Sequence, residues 1–565
     1  MNKLGRFETV SESEEVCVRL DELKVGINDV KNHIIRVNDA HKIDYIVNKT
    51  CDHAGGRLIV KGEQAVCPMH DWRLNLNTLQ YNSSHVCKEQ VPFRMSEQGE
   101  VFIEDANKSL KNPFQSEKKG AVSLRWLNHA AVFIECNGTS IITDPWLFGP
   151  AFMTGWWLAA PSPQESVELL KKADYVYISH NHPDHLHAET LALLPRDITI
   201  ITPKFRSGSS EKFLRNLGFT QVKALNFLDI FELTPGFQVS LLKSGDFRDD
   251  SGLYVCANGH ELLLTVDSNF LNAHELPKNV DLLMTSFAGG ASGFPLCYEG
   301  YTEEEKVAVL KRNRNAIKSN VLKYVQETTP RYYMPYAGMF SEYAERDKYI
   351  KDLNLKNTFG DYEKILGRLS VTTLRPDSAK VIEFRDGDLT SKAVETTYLD
   401  KEDCTYYINK FKEEFQYDPG AIVDYLKSSG FRGKQILQII PTDDLHQEIV
   451  GKIIYADFYH DVYKVIDKED LVAKVEGYKV MQLRIRAEVI MCVIENYLPW
   501  EDLSIGFQMR ASRFPNEYES DFWYHFTNNY IAKEHFRYTS YCGACTIVNQ
   551  NPVWVKDKQP LQYTP

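Results

Sequence analysis

A chain of 565 residues is too long for one hydrophobic core, so roughly two to four domains are expected. Its composition is that of an ordinary globular protein, with 43% hydrophobic and 25% charged residues. The formal net charge of −12 excludes bulk association with nucleic acid or an anionic membrane, although an anionic ligand can still be held in a local basic pocket. No apolar run is long enough for a membrane span, and "MNKLGRFETVSESEEVCVRL" at the start has no apolar leader region. The 11 cysteines are scattered, as in a reducing compartment, so a cytoplasmic protein is expected.

Residues 1–110 read as an all-β domain: "HIIRV", "YIVNK", "RLIV", "AVCP" and "EVFIE" are short β-branched runs separated by Gly, Asn and Asp. A polar stretch with Pro, Ser and Lys, starting near 104, makes a linker to 120. Over 121–385 strands such as "YVYISH" and "ELLLTVDS" mix with helical patterns such as "ESVELLKKA". From 386 to 565 a mainly α-helical domain is predicted. In "RIRAEVIMCVIENYL", Ile485, Val489 and Val493 recur every fourth residue, and Pro499 ends the pattern.

The first domain holds Cys51-x-His53 and Cys67-x-x-His70. Two loops, each giving one thiolate and one imidazole, fit either a tetrahedral zinc site or a Rieske [2Fe–2S] centre. Zinc fingers usually pair Cys with Cys and His with His, whereas one of each per loop suits two adjacent irons. Gly55-Gly56 allows close approach of the first loop, and Pro68 stiffens the second. Such a centre stores one electron and needs a second group to do bond chemistry.

The second domain supplies that group. "YISHNHPDHLH" puts His180, His182, Asp184 and His185 directly after an apolar strand, with Asp184 and His185 expected to open the next helix. The motif resembles the metallo-β-lactamase fold, an αββα sandwich in which these residues hold one or two metal ions. Asp267 after "LLLTV" matches that superfamily's later aspartate, and His129 in "LNHAAVFIE" and Asp144 in "IITDPW" resemble its early motifs. The later histidines are missing: "SGDFRDDSG" and "MPYAGMF" have none, and His260 in the turn "NGHE" is expected at the surface. His180, His182 and Asp267 then make a set for one metal, with Asp184 and His185 beside it. Two histidines and a carboxylate with open positions suit a mononuclear non-haem iron that activates O2.

With "TDPWLFGPAFMTGWWL", "TVDS", "SFAGGASGFP" and "WEDLSIGFQMR", these motifs make the chain similar to the CMP-N-acetylneuraminate hydroxylase family over nearly its whole length. The resemblance implies a Rieske monooxygenase. It would convert the N-acetyl group of a CMP-linked sialic acid, or a related nucleotide sugar, to N-glycolyl. Electrons would come from cytochrome b5 or a ferredoxin with its reductase. The family's histidine in the 244–252 region is Phe247 in this chain. Gly289, Gly290 and Gly293 suit either a phosphate- or sugar-binding loop or a tight crossover. Trp156 is a candidate base-stacking surface, against the alternative of a core tryptophan. Cys542 and Cys545 form an isolated C-x-x-C, a weak redox or zinc signal. The charge run "EKVAVLKRNRN" is a solvated helix face or a docking patch for an acidic carrier. The competing function is a metallo-β-lactamase-fold hydrolase with an appended Rieske domain.

Overall fold

The computed structural model of the chain describes residues 1–11, 16–52, 56–67, 72–81, 87–103, 108–205, 207–245 and 248–532. Two eight-stranded sheets lie face to face at its centre. One runs in the order Val222–Leu225, Thr199–Pro203, Tyr175–Tyr177, Thr139–Thr143, Ala131–Cys136, Ala121–Asn128, Lys380–Arg385 and Asp388–Ala393. The other begins with Asn2–Arg6, Asp229–Thr234, Phe237–Lys243 and Ser251–Ala257, and continues with His260–Leu264, Leu282–Thr285, Tyr332–Pro335 and Thr372–Thr373. Inward side chains of both, including Leu124, Ile134, Val239, Leu253, Leu264 and Met284, form the core between them.

Helices cover both outer faces. Leu170, Leu191 and Leu214 seal the first sheet, and Val321, Tyr324 and Tyr362 the second. Strands covered on both sides need no polar face, which is why "FQVSLLK", "SGLYVCA" and "HELLL" are buried at every position. Each sheet has a parallel half, and its crossovers return the chain so that loops after parallel strands gather at one end.

The amino-terminal unit is all β, in small three-stranded sheets such as Gly26–Val30, His33–Val37 and Ile43–Asn48. Its boundaries are less clean than the composition suggests. Asn2–Arg6 pairs with Asp229–Thr234 at the edge of the second large sheet, and Lys108–Lys111, inside the predicted linker, pairs with Glu8–Ser11. The predicted boundary at 385 falls inside a hairpin, because Asp388–Ala393 pairs with Lys380–Arg385.

The expected mainly helical carboxy-terminal domain is instead mixed. A five-stranded sheet, ordered Val462–Ile466, Ile453–Asp457, Gln435–Thr442, Lys479–Arg486 and Met509–Phe514, forms its body, with helices including Pro419–Ser428 and Ala487–Glu495 packed on it. Ile485 lies in a strand and only Val489 and Val493 are helical, so their spacing spans a strand–helix junction. This unit shares one core with the central sandwich: Trp146, Phe152, Trp156 and Phe340 pack with Ile439, Leu483, Trp500 and Phe507. Fully buried Arg486 pins the junction, donating to Asp347 Oδ1 and Gln508 Oε1 at 2.7 Å each.

Candidate metal centre

Strand ends deliver the site. His180, His182, Asp184 and His185 follow Tyr175–Tyr177, and the helix begins only at Ala188, so Asp184 and His185 lie in the turn rather than on the helix as expected. The turn is held by N–H groups of His185 and Leu186 donating to the His182 carbonyl, at 3.0 and 2.8 Å. Asp144 follows Thr139–Thr143, Asp267 follows His260–Leu264, and His129 sits in the tight turn between Ala121–Asn128 and Ala131–Cys136. Two sets of ligand-type atoms result: His180, His182 and Asp267, and His129, Asp184 and His185, each within 4.8 Å of one another.

Hydrogen bonds fix which ring nitrogens can meet a metal. Asp144 is fully buried and accepts from Ser179 N, from Ser179 Oγ (both 2.7 Å) and from His185 Nδ1 at 3.0 Å. His185 therefore carries a proton on Nδ1 and turns Nε2 toward Asp184 and Asp267, 3.4 and 3.5 Å away, where a proton or a metal ion would sit between them. Having given its proton to Asp144, Ser179 Oγ accepts from His180 Nδ1 at 2.9 Å, which frees His180 Nε2. That nitrogen faces His182 Nδ1 at 2.9 Å, while His182 Nε2 lies 3.3 Å from Glu501 Oε1. Two lone pairs that close need a proton or a cation between them. Buried Asp184 Oδ1 and His185 Nε2 make no hydrogen bond among the described residues. Nitrogen lone pairs and carboxylates converging on one space fit a transition-metal ion.

His129 is different. Its Nδ1 accepts the backbone N–H of Gly338 at 3.2 Å, so the neutral ring carries its proton on Nε2 and donates to Asp184 Oδ2 at 3.1 Å. It orients a ligand rather than being one. With His129 turned to Asp184, His185 is the imidazole left to the second set, beside the first set of His180, His182 and Asp267.

The three imidazoles differ in charge: burial would lower the His185 pKa, but Asp184, Asp267 and Asp144 hold it well above its usual range, so without a cation its Nε2 keeps a proton. Burial lowers the His180 pKa well below its usual range, helped by the neighbouring imidazoles. Burial would lower His182 too, but the Glu501 carboxylate holds it at about 9. Burial opposes ionisation of Asp184, yet His185 and His129 hold its pKa well below the carboxylate range.

A cavity of about 230 Å³ opens on the centre, lined by His182, Asp184 and Asp267 on one side and by Tyr518 and Ile317 on another. Gly289, Gly290 and Trp156 are on its wall. Trp156 is stacked on Phe340 with ring centroids 3.6 Å apart and is 2% exposed, while its Nε1 donates to the Ile505 carbonyl. Gly293 meets the carboxy-terminal unit: a Cβ there would lie 2.3 Å from the Ser504 carbonyl oxygen, so glycine is needed for close approach. Expected at the surface, His260 is fully buried beside Phe384, away from the metal ligands.

In the amino-terminal unit, Cys51 and Cys67 are buried in one cluster with Trp72 and Tyr81. Their loops are closed alike: Cys51 N donates to the Gly56 carbonyl at 2.6 Å and Cys67 N to the Trp72 carbonyl at 2.7 Å, each five residues on. His53 and His70 lie outside the described residues, as do Cys542 and Cys545.

Residues 123–246 match a family model described as a β-lactamase superfamily domain. The cytidine monophosphate-N-acetylneuraminic acid hydroxylase of Mus musculus is 30% identical over 513 residues, covering 84% of this chain and 88% of that protein. This chain belongs to the cytidine monophosphate-N-acetylneuraminic acid hydroxylase family. Its Xenopus laevis relative is 29% identical over 553 residues, covering 90% and 91% of the two chains. Among solved structures, the diiron β-hydroxylase CmlA of Streptomyces venezuelae aligns at 18% identity and a TM-score of 0.31, over 48% of this chain and 55% of that one.

As a member of this hydroxylase family the chain is an oxidoreductase. Sequence reasoning missed Glu501, which reaches the centre from 319 residues away in the region "WEDLSIGFQMR". It also left His129 and Asp144 as motif matches without roles. No helix among the described residues is long and apolar enough to cross a membrane.

Proposed function

We propose that the chain is a monooxygenase that hydroxylates the N-acetyl methyl of a CMP-linked sialic acid. The observation that carries this reading is one shared cavity. Ile317 and Tyr518 pack against the core that contains Cys51 and Cys67, and both also line the cavity bearing His182 and Asp267. Electron storage and O2 activation at two places joined by one wall suit an oxygenase. A [2Fe–2S] cluster on Cys51, His53, Cys67 and His70 would supply single electrons, and one iron on the His180, His182, His185, Asp184 and Asp267 set would supply O2 activation. A one-electron donor such as cytochrome b5 or a ferredoxin would be the partner protein.

The protein's own part is positioning. Phe152, Trp156, Phe294 and Phe340 make an apolar wall that keeps water from the acyl end of a substrate. Arg248, 3.8 Å from Asp250 Oδ2, is the one arginine or lysine among the described lining residues and can offer its guanidinium to a carboxylate or phosphate. The left-handed Gly289 and Gly290, with φ of 67° and 75°, present backbone rather than side chain to sugar oxygens. At about 230 Å³ the cavity takes the reacting end of a nucleotide sugar and leaves the nucleotide outside.

The hydrolase reading is favoured by the second set, His129, Asp184 and His185, since two-metal hydrolysis needs two filled sites. The Gly338 N–H donated to His129 speaks against it. Mass spectrometry of CMP-N-acetylneuraminate incubated with the holoprotein, a reductant and ¹⁸O₂ separates the two. One ¹⁸O atom on the acyl group is expected; reductant-independent hydrolysis would overturn the reading.

A further inference from the structure

We infer that Trp72 and Tyr518 carry the electron between the two metal centres, an inference that rests on the reading just given. Trp72 closes the second cysteine loop, its carbonyl accepting the Cys67 N–H at 2.7 Å, and its ring is 4% exposed. That ring stands 5.9 Å from the Tyr518 ring, centroid to centroid, with 39° between planes. Tyr518 is partly buried and lines the same cavity as Glu501 and His182. Glu501 Oε1 in turn lies 3.3 Å from His182 Nε2. From Cys67 through Trp72 and Tyr518 the route therefore reaches the cavity on which Glu501 and His182 stand, within a single chain.

Trp72 has other aromatic neighbours, Tyr81 at 5.2 Å and Tyr524 at 6.1 Å, but neither lines the cavity. Electron tunnelling weakens steeply across gaps between saturated groups and far less across neighbouring π systems, so the aromatic branch that reaches the cavity is the favoured one. The step balances simply. One electron leaves the Cys51/Cys67 site, which is oxidised by one unit, and arrives at the His180/His182 site, which is reduced by one unit. No covalent bond forms or breaks, and a one-electron carrier protein re-reduces the first site.

The test is rapid freeze-quench electron paramagnetic resonance on the holoprotein, chemically reduced and then mixed with O2 and CMP-N-acetylneuraminate. In Tyr518→Leu the signal of the reduced cluster is expected to decay about tenfold more slowly or worse, equivalent to about 1.4 kcal/mol in the barrier. Its spectrum and midpoint potential should match wild type. Tyr518→Phe, which keeps the ring, should decay within about twofold of wild type. If Tyr518→Leu does not fold, Tyr518→Met and Trp72→Leu, which also remove a ring from the route, are read in the same way. A cluster signal that decays equally fast in wild type and Tyr518→Leu, with both centres loaded, overturns the route alone. A wild-type holoprotein with no such signal overturns the parent reading and the route with it.

Discussion

The backbone N–H of Gly338 points at Nδ1 of His129, 3.2 Å away. A backbone amide can only donate, so this contact decides the tautomer and removes His129 from the ligand set. That leaves the second set with one imidazole, His185, which suits the single ion proposed above. With a cluster of two irons, the holoprotein should contain about three irons per chain by plasma mass spectrometry. His129→Leu should keep the third iron while product formation drops about 10- to 100-fold, because Asp184 loses its orienting donor. His185→Gln should lose that iron. A fourth tightly held ion would contradict the assignment.

Asp144 is fully buried and is not among the cavity's lining residues, yet it orients two rings at once, His185 directly and His180 through Ser179. Replacing it by Asn substitutes an amide for the carboxylate and weakens the preference for Nδ1–H in both rings. Affinity for the mononuclear ion should fall about 10- to 100-fold, read by competition with a chromophoric chelator. The far-ultraviolet circular dichroism should be unchanged. Equal affinity in Asp144→Asn and wild type would mean that the tautomers are fixed elsewhere.

Glu501 makes the site a joint product of two units, since its carboxylate comes from the helix Glu501–Ile505 of the carboxy-terminal part. Glu501→Ala leaves His182 without its Nε2 partner and should lower turnover at least about tenfold. Because Glu501 is only half-buried, with its side chain 39% exposed, thermal stability should change by less than about 1 kcal/mol. A large fall in stability with turnover per folded molecule unchanged would assign Glu501 to the interface alone.

The parts legible in the sequence were those whose signal is local. The H-x-H-x-D-H turn and apolar strands such as "YVYI" and "ELLLTV" each declare themselves within about ten residues. Glu501 could not be read because its partner lies 319 residues away and nothing near it marks a site. The carboxy-terminal sheet was misread for a physical reason: Ile485, Val489 and Val493 keep a helix-like spacing across a junction where a strand hands directly over to a helix. His260 illustrates a correct turn and a wrong inference. Asn258 and Gly259 do adopt the left-handed conformation, with φ of 48° and 79°, but the strand that follows is covered on both faces. Exposure depends on what packs over an element, which the turn does not encode.

Glu261, the next residue on that strand, gives the pH dependence. Burial raises its pKa to about 7, with Asp281 adding to the rise and Tyr254, Lys118 and Gln115 opposing it. A carboxyl group whose folded value exceeds its unfolded value of 4.5 favours the folded state while protonated. Its contribution is fully present below pH 4.5 and is lost as the pH rises through about 7, where the buried side chain must carry a charge. Glu261→Gln removes that titration and keeps an amide able to meet Gln115. The variant should gain stability over wild type progressively across the interval between these two values. The gain should level off above it at about 1–3 kcal/mol, or about 2–4 °C of melting temperature per kcal/mol. Differential scanning calorimetry of the two proteins side by side at pH 5 and pH 8 tests this, since both carry the same metals and ligand protonation cancels in the difference. An equal offset at both pH values would mean that the substitution acts through packing rather than through the charge.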